Sequence, residues 1–148
     1  MQLEHIINYH KVSDTISTAG QPTRSELELL SKKGFETVVN IAMDDSDGAI
    51  LEEEAILTGY GLEYYHIPVV WENPQQYQLG QFFDLMDTKK EEKTFVHCAK
   101  NYRVSAFMYL YYILRLDLDE KHAKGVMLPD WNPDQTWTDF IQTALNQA

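Results

Sequence analysis

A β-rich apolar run, Thr94-Phe95-Val96-His97, ends directly in Cys98, and an almost wholly apolar helical stretch follows from about Val104 to Leu116. A strand that passes through a short turn into a buried helix is the opening half of a βαβ unit. The same alternation runs along the rest of the chain. Thr15 to Ala19, Phe35 to Ala42 and Leu62 to Val69 read as further strands. Between them, Thr23-Arg24-Ser25-Glu26 has the form of a capping box ahead of Leu27, Leu29 and Leu30, and Gly34 closes that helix. Ile50 to Leu57 predicts a short helix. Asn73-Pro74 predicts the N-cap and first position of another, carrying Tyr77, Phe82, Phe83 and Met86. Trp137, Phe140, Ile141, Ala144 and Leu145 fall on one face of a terminal helix. Strands alternating with helices imply right-handed crossovers, hence an α/β fold: a three-layer α/β/α arrangement around a short, mostly parallel sheet. The 148 residues are read as a single domain, 1–148.

Cys98 is the only cysteine. In such a strand–turn–helix its sulfur falls where successive backbone N–H groups and a helix N-terminus converge. That field favours anions, including the thiolate, which is the nucleophilic form. Arg103, always charged, can fork two hydrogen bonds onto an oxyanion held beside the sulfur. The plain alternative is a buried cysteine acting as a small hydrophobe. Against it, His97, Lys100 and Arg103 gather three potential cations within seven residues of a chain of formal charge −11. Ligands of parallel sheets sit outside the carboxyl ends of the strands, which is where Cys98 falls.

The acidic balance argues against nucleic acid and anionic membranes as partners. It also repels phosphorylated substrates at long range, so any anion capture must be local. One cysteine excludes an internal disulfide and suits a reducing compartment. Met1-Gln2-Leu3-Glu4-His5 has no secretory pattern, and no apolar run approaches a membrane span, so a cytoplasmic location is expected. The histidines (His5, His10, His66, His97, His122) form no zinc pattern, and no glycine-rich nucleotide loop or GxSxG elbow occurs. Neither a metal nor a cofactor is expected.

His97-Cys98 followed by Arg103 resembles the signature of the cysteine-dependent phosphatases of the dual-specificity and tyrosine phosphatase superfamily. The nearest likeness is a small bacterial phosphatase-like family, also found fused to the hydrolase domain of beta-lactamase-hydrolase-like proteins. Ala19-Gly20-Gln21-Pro22, Gly34-Phe35-Glu36-Thr37-Val38-Val39-Asn40 and His66-Ile67-Pro68-Val69 extend the likeness over most of the chain in the expected order. The resemblance implies hydrolysis of phosphate monoesters through a cysteinyl-phosphate intermediate, with Cys98 attacking and Arg103 clamping the equatorial oxygens. His97, Ala99, Lys100, Asn101, Tyr102 and Ser105 would form or support the substrate loop. The acid that protonates the leaving oxygen would sit on Val70-Trp71-Glu72-Asn73-Pro74, where Glu72 is the only carboxylate. The residues alone read Glu72 more readily as a solvated acid. Asp44, Asp45 and Asp47 form a second, weaker set.

The sequence also departs from the superfamily pattern. Four residues rather than five separate Cys98 from Arg103. Asn101 stands where a glycine is usual, and Asn tolerates positive φ. Val104 replaces the hydroxyl residue that assists the leaving thiolate, with Ser105 one position on. A four-residue loop encloses less space and resembles that of the small bacterial family and also that of rhodanese sulfurtransferases. Two alternatives therefore stand beside the phosphatase: sulfur transfer through a Cys98 persulfide, and a non-catalytic module that binds an anion or a protein. The Lys89-Lys90-Glu91-Glu92-Lys93 run reads as a solvated turn.

Overall fold

A computed structural model describes residues 2–148. Five strands form one sheet in the order β1-β2-β5-β3-β4. They are β1 (His10–Lys11), β2 (Ile16–Ala19), β3 (Thr37–Asn40), β4 (Glu63–His66) and β5 (Thr94–His97). β2, β5, β3 and β4 run parallel, and only the two-residue β1 pairs antiparallel, with β2. The mostly parallel sheet is as expected. β1 was not foreseen, because two residues are too few to show a period.

Side-chain alternation divides the sheet into two faces. Val38 and Phe95 join Leu27 and Leu30 of α1 (Arg24–Lys32) and Leu57 of α2 (Glu53–Gly59) on one side. Val39 and Val96 face the other, against α3 (Gln76–Asp87), α4 (Tyr102–Leu114) and α6 (Gln135–Asn146). Three layers result. α4 is buried continuously from Arg103 to Tyr111, as its all-round apolar sequence requires, and gives the loop before it a rigid seat. The Thr23 capping box forms in full, and Gly34 follows the helix at φ 85°.

Several boundaries differ from expectation: α2 starts at Glu53 rather than Ile50, and β3 and β4 are shorter than the runs that announce them. Asn73-Pro74 does not cap α3. Its N-cap is Gln75, without a side-chain cap bond, because the preceding chain is drawn into a turn by Asn73 N–H to Val70 O. The indole N–H of Trp137 also holds that turn, donating to the Trp71 carbonyl at 2.9 Å. A short helix, α5 (Glu120–Lys124), capped by Asp119 and anchored by buried Ala123, was also missed. Nor is the lysine-rich turn wholly solvated. Lys89 Nζ donates to Glu63 at 3.2 Å and Glu92 at 3.3 Å and lies over the Tyr65 ring.

Candidate active site

Cys98 leaves the end of β5 at the carboxyl edge of the sheet and is 1% exposed. The loop that follows is shaped from behind. Gln21 N–H donates to the Ala99 carbonyl at 3.0 Å, and Asn8 Nδ2 donates to the Lys100 carbonyl at 2.9 Å. The Cys98 carbonyl meets His97 Nδ1 at 3.1 Å, and the Asn101 carbonyl accepts from Ser105 N–H within α4. Every loop carbonyl from Cys98 to Asn101 is thus engaged. Among the described residues, the N–H groups of Ala99, Lys100 and Tyr102 have no acceptor. Unpaired donors ahead of a helix N-terminus make an anion-binding concavity.

Asn101 takes φ 69° as the N-cap of α4, the left-handed turn foreseen for it. Its Nδ2 donates to the Asn8 carbonyl at 2.9 Å and to Thr18 Oγ1 at 3.0 Å. Those bonds tie the loop to β2 and to the N-terminal segment, which a glycine could not do. Gly20 is required by closeness: a Cβ there would stand 2.5 Å from the Ala99 carbonyl oxygen.

Arg103 opens the first turn of α4 and is 6% exposed. Its Nη1 donates to the Val69 carbonyl at 2.7 Å, and Nη2 lies 3.5 Å from Ser46 Oγ. The Val69 bond fixes the guanidinium plane, Ser46 makes a second, longer contact, and other donors of the five have no protein acceptor. Cys98 and Arg103 line a cleft of about 590 Å³ together with Ala99, Lys100, Tyr102, Trp71, Glu72, Asp45 and Asp47. Trp71 and Tyr102 make an aromatic wall, backed by Trp131, which stacks on Tyr102 at 5.4 Å.

The structure divides the residues singled out from sequence. Ala99, Lys100, Tyr102, Arg103 and Glu72 line the cleft with Cys98, as do Asp45 and Asp47 but not Asp44. His97, Asn101 and Ser105 lie behind it. Ser105 is fully buried, and its Oγ accepts from the Leu128 N–H at 3.1 Å, so it holds the segment after α5 rather than a ligand. His97 is fully buried too, and its Nε2 lies 2.6 Å from Glu53 Oε2. Glu53 Oε1 accepts from Gln21 Nε2 at 2.8 Å. Burial raises the Glu53 carboxyl, but the adjacent His97 and the hydrogen bonds from His97 and Gln21 outweigh it and hold the group below the usual glutamate range. Sequence reading missed Glu53 because it sits among Glu52, Glu53 and Glu54, which look like one solvated acidic face. Its i, i+4 spacing to buried Leu57 was the available signal.

Residues 5–125 match the model of a phosphatase family described as the DSP-PTPase phosphatase fused to NAD+ kinase. Among solved structures, the chain is similar to a DUF442 protein, a candidate phosphatase of Shewanella putrefaciens CN-32, at 27% identity and TM-score 0.85, over 98% of this chain and 95% of that one. Tk-PTP shares the fold at 17% identity and TM-score 0.79, over 95% and 98% of the two chains. P. aeruginosa TpbA in complex with phosphotyrosine shares it at 18% identity and TM-score 0.69, over 96% and 92%. No curated protein matches the chain. No helix among the described residues is long and apolar enough to cross a membrane.

Proposed function

This chain belongs to the DSP-PTPase phosphatase family, and we propose that it hydrolyses phosphate monoesters by transferring the phosphoryl group first to Cys98. The sulfur attacks phosphorus in line, the ester oxygen leaves, and water then releases inorganic phosphate from the cysteinyl-phosphate. Arg103 spans the equatorial oxygens, whose charge is spread over all three in the transition state. The N–H groups of Ala99, Lys100 and Tyr102 supply preorganised donors that need no rearrangement as charge develops. Lys100 adds a positive charge at the rim. Glu72 gives its proton to the departing oxygen and, as the conjugate base, activates the water of the second step.

One observation carries the reading: the loop carbonyls from Cys98 to Asn101 are tied back, while the free N–H groups border the same cleft as the sulfur and Arg103. That arrangement receives a tetrahedral oxyanion above the thiolate. The family match favours this reading over sulfur transfer, despite the four-residue loop. The testing experiment is turnover of p-nitrophenyl phosphate and phosphotyrosine by the wild-type chain and by Cys98→Ser. Release of inorganic phosphate that disappears in the variant supports the reading. Turnover that survives Cys98→Ser, or loading of Cys98 by thiosulfate without phosphate release, counts against it.

A further inference from the structure

The ring of His97 lies between a backbone carbonyl, which only accepts, and the Glu53 carboxyl. Nε2 lies 2.6 Å from Glu53 Oε2, and Nδ1 lies 3.1 Å from the Cys98 carbonyl oxygen. The second Glu53 oxygen accepts from Gln21 Nε2, whose other contact is the Pro22 carbonyl. Against an ionised Glu53, a neutral imidazole, with one donor and one acceptor, would leave a lone pair facing one of these oxygens. A protonated ring facing an ionised Glu53 satisfies every atom. A neutral ring accepting from a protonated Glu53 would do so too, but the hydrogen bond from Gln21 and the adjacent His97 favour the ionised carboxyl. All three side chains are buried, at 0% exposure for His97, 2% for Glu53 and 6% for Gln21. An uncompensated charge at such depth is costly, whereas a hydrogen-bonded pair is tolerated.

We propose that Glu53, steadied by Gln21, is a positioning residue that keeps His97 doubly protonated, so that a fixed positive charge and a hydrogen-bond donor stand directly behind the Cys98 peptide. Glu53 touches neither the cleft nor the sulfur and acts only through His97. The imidazolium draws electron density from the Cys98 carbonyl and favours the thiolate one residue away. The bond also holds that carbonyl out of the anion concavity. α2 thereby joins the site, although it contributes nothing to the wall around the sulfur. The other titratable groups around the pair are Tyr64 and His66 on β4, with Asp44 and Glu54 beside them. None of these lies within the hydrogen-bonded chain from Gln21 to Cys98.

The catalytic consequence rests on the phosphatase reading; the protonation state does not. Ring-nitrogen NMR on the full, ¹⁵N-labelled chain at neutral pH should show both nitrogens of His97 carrying hydrogen. A wild-type His97 with only one protonated ring nitrogen would overturn the proposal, whatever the enzyme does. Glu53→Gln keeps the shape and an acceptor but removes the charge. It should return His97 to one protonated nitrogen and slow iodoacetamide alkylation of Cys98 at neutral pH by about fivefold, the scale of losing one nearby charge. On phosphate esters the same variant should lower kcat more than it raises KM. Gln21→Ala, a milder change, should move alkylation in the same direction by a smaller factor. Alkylation unchanged in both variants would refute the proposal. Doubly protonated His97 in a chain that turns over no phosphate ester would refute the phosphatase reading instead.

Discussion

Gln21 and Ala99 are joined by a single backbone hydrogen bond of 3.0 Å, from the N–H of one to the carbonyl of the other. That bond turns the first loop carbonyl after Cys98 away from the cleft. Gly20 makes it possible by admitting the loop so closely that any Cβ would stand 2.5 Å from the Ala99 oxygen and 3.0 Å from Lys100 Cα. Both contacts are to backbone and cannot be relieved by a rotamer change. Gly20→Ala should therefore lower kcat by about 10²-fold, the scale of losing one preorganised donor, and lower stability by roughly 1–3 kcal/mol through overpacking. Steady-state kinetics and urea unfolding measure the two effects. A variant with wild-type kcat would show that the loop tolerates displacement.

Asn101 provides a second constraint on the same loop. Asn101→Ala keeps a side chain in a left-handed conformation, at a cost of about 1–2 kcal/mol, and removes the bonds to Asn8 and Thr18. Asn101→Gly relieves the strain but loses the same bonds, each worth about 1 kcal/mol. Both variants should be destabilised, the alanine more. Chemical denaturation that ranks glycine below alanine would contradict this account of the turn.

The fold was largely legible because its signals are local. The apolar runs ending at Ala19, Ala42 and Cys98, the Thr23 capping box and Gly34 each announce an element within a few residues. What escaped was set by distant contacts. Asn73-Pro74 looks like a helix start, yet Trp137 draws that chain into a turn and delays α3 to Gln76. The site divides in the same way. Cys98 and Arg103 stand close together in sequence and border one cleft with Ala99, Lys100 and Tyr102 of the loop between them. Glu53 reaches His97 across forty-four positions, and locally only its i, i+4 spacing to Leu57 sets it apart from its acidic neighbours. Ser105 enters the site from sequence as the hydroxyl one position past Val104, but that helical step turns it toward Leu128.

Glu72 lines the cleft and is solvent-exposed. As the proton donor it matters most when the leaving oxygen is basic. Glu72→Gln should lower kcat by about 10²-fold on an alkyl phosphate and much less on p-nitrophenyl phosphate, whose anion departs unaided. Asp45→Asn and Asp47→Asn provide the comparison, since both residues share the cleft. Equal losses on both substrates for Glu72→Gln would remove it from the acid's place.

Acid should weaken the fold partly through Glu53. Its carboxyl lies lower in the folded chain than the usual glutamate value of about 4.3. A depressed acid contributes stability that is present above the unfolded value and lost as pH falls through the folded one. Thermal unfolding between pH 7 and pH 3 should show the wild type losing its advantage over Glu53→Gln below about pH 4.3. A difference between the two that stays constant over this range would contradict the assignment.

Arg103→Lys keeps the charge but cannot span two oxygens or hold the Val69 carbonyl in the same plane. It should lower kcat/KM by about 10²-fold or more. Inorganic phosphate should also weaken as an inhibitor. Unaltered kinetics would mean that the guanidinium serves the fold alone.

The central claim is a covalent phosphoryl group on Cys98. Rapid acid quench of the wild-type chain during turnover of p-nitrophenyl phosphate, followed by peptide mass spectrometry, reads it directly. The account predicts one added phosphoryl group on the peptide containing Cys98, formed before free phosphate accumulates and absent from Cys98→Ser. Phosphate release with no adduct on that peptide, or an adduct on another residue, would contradict it.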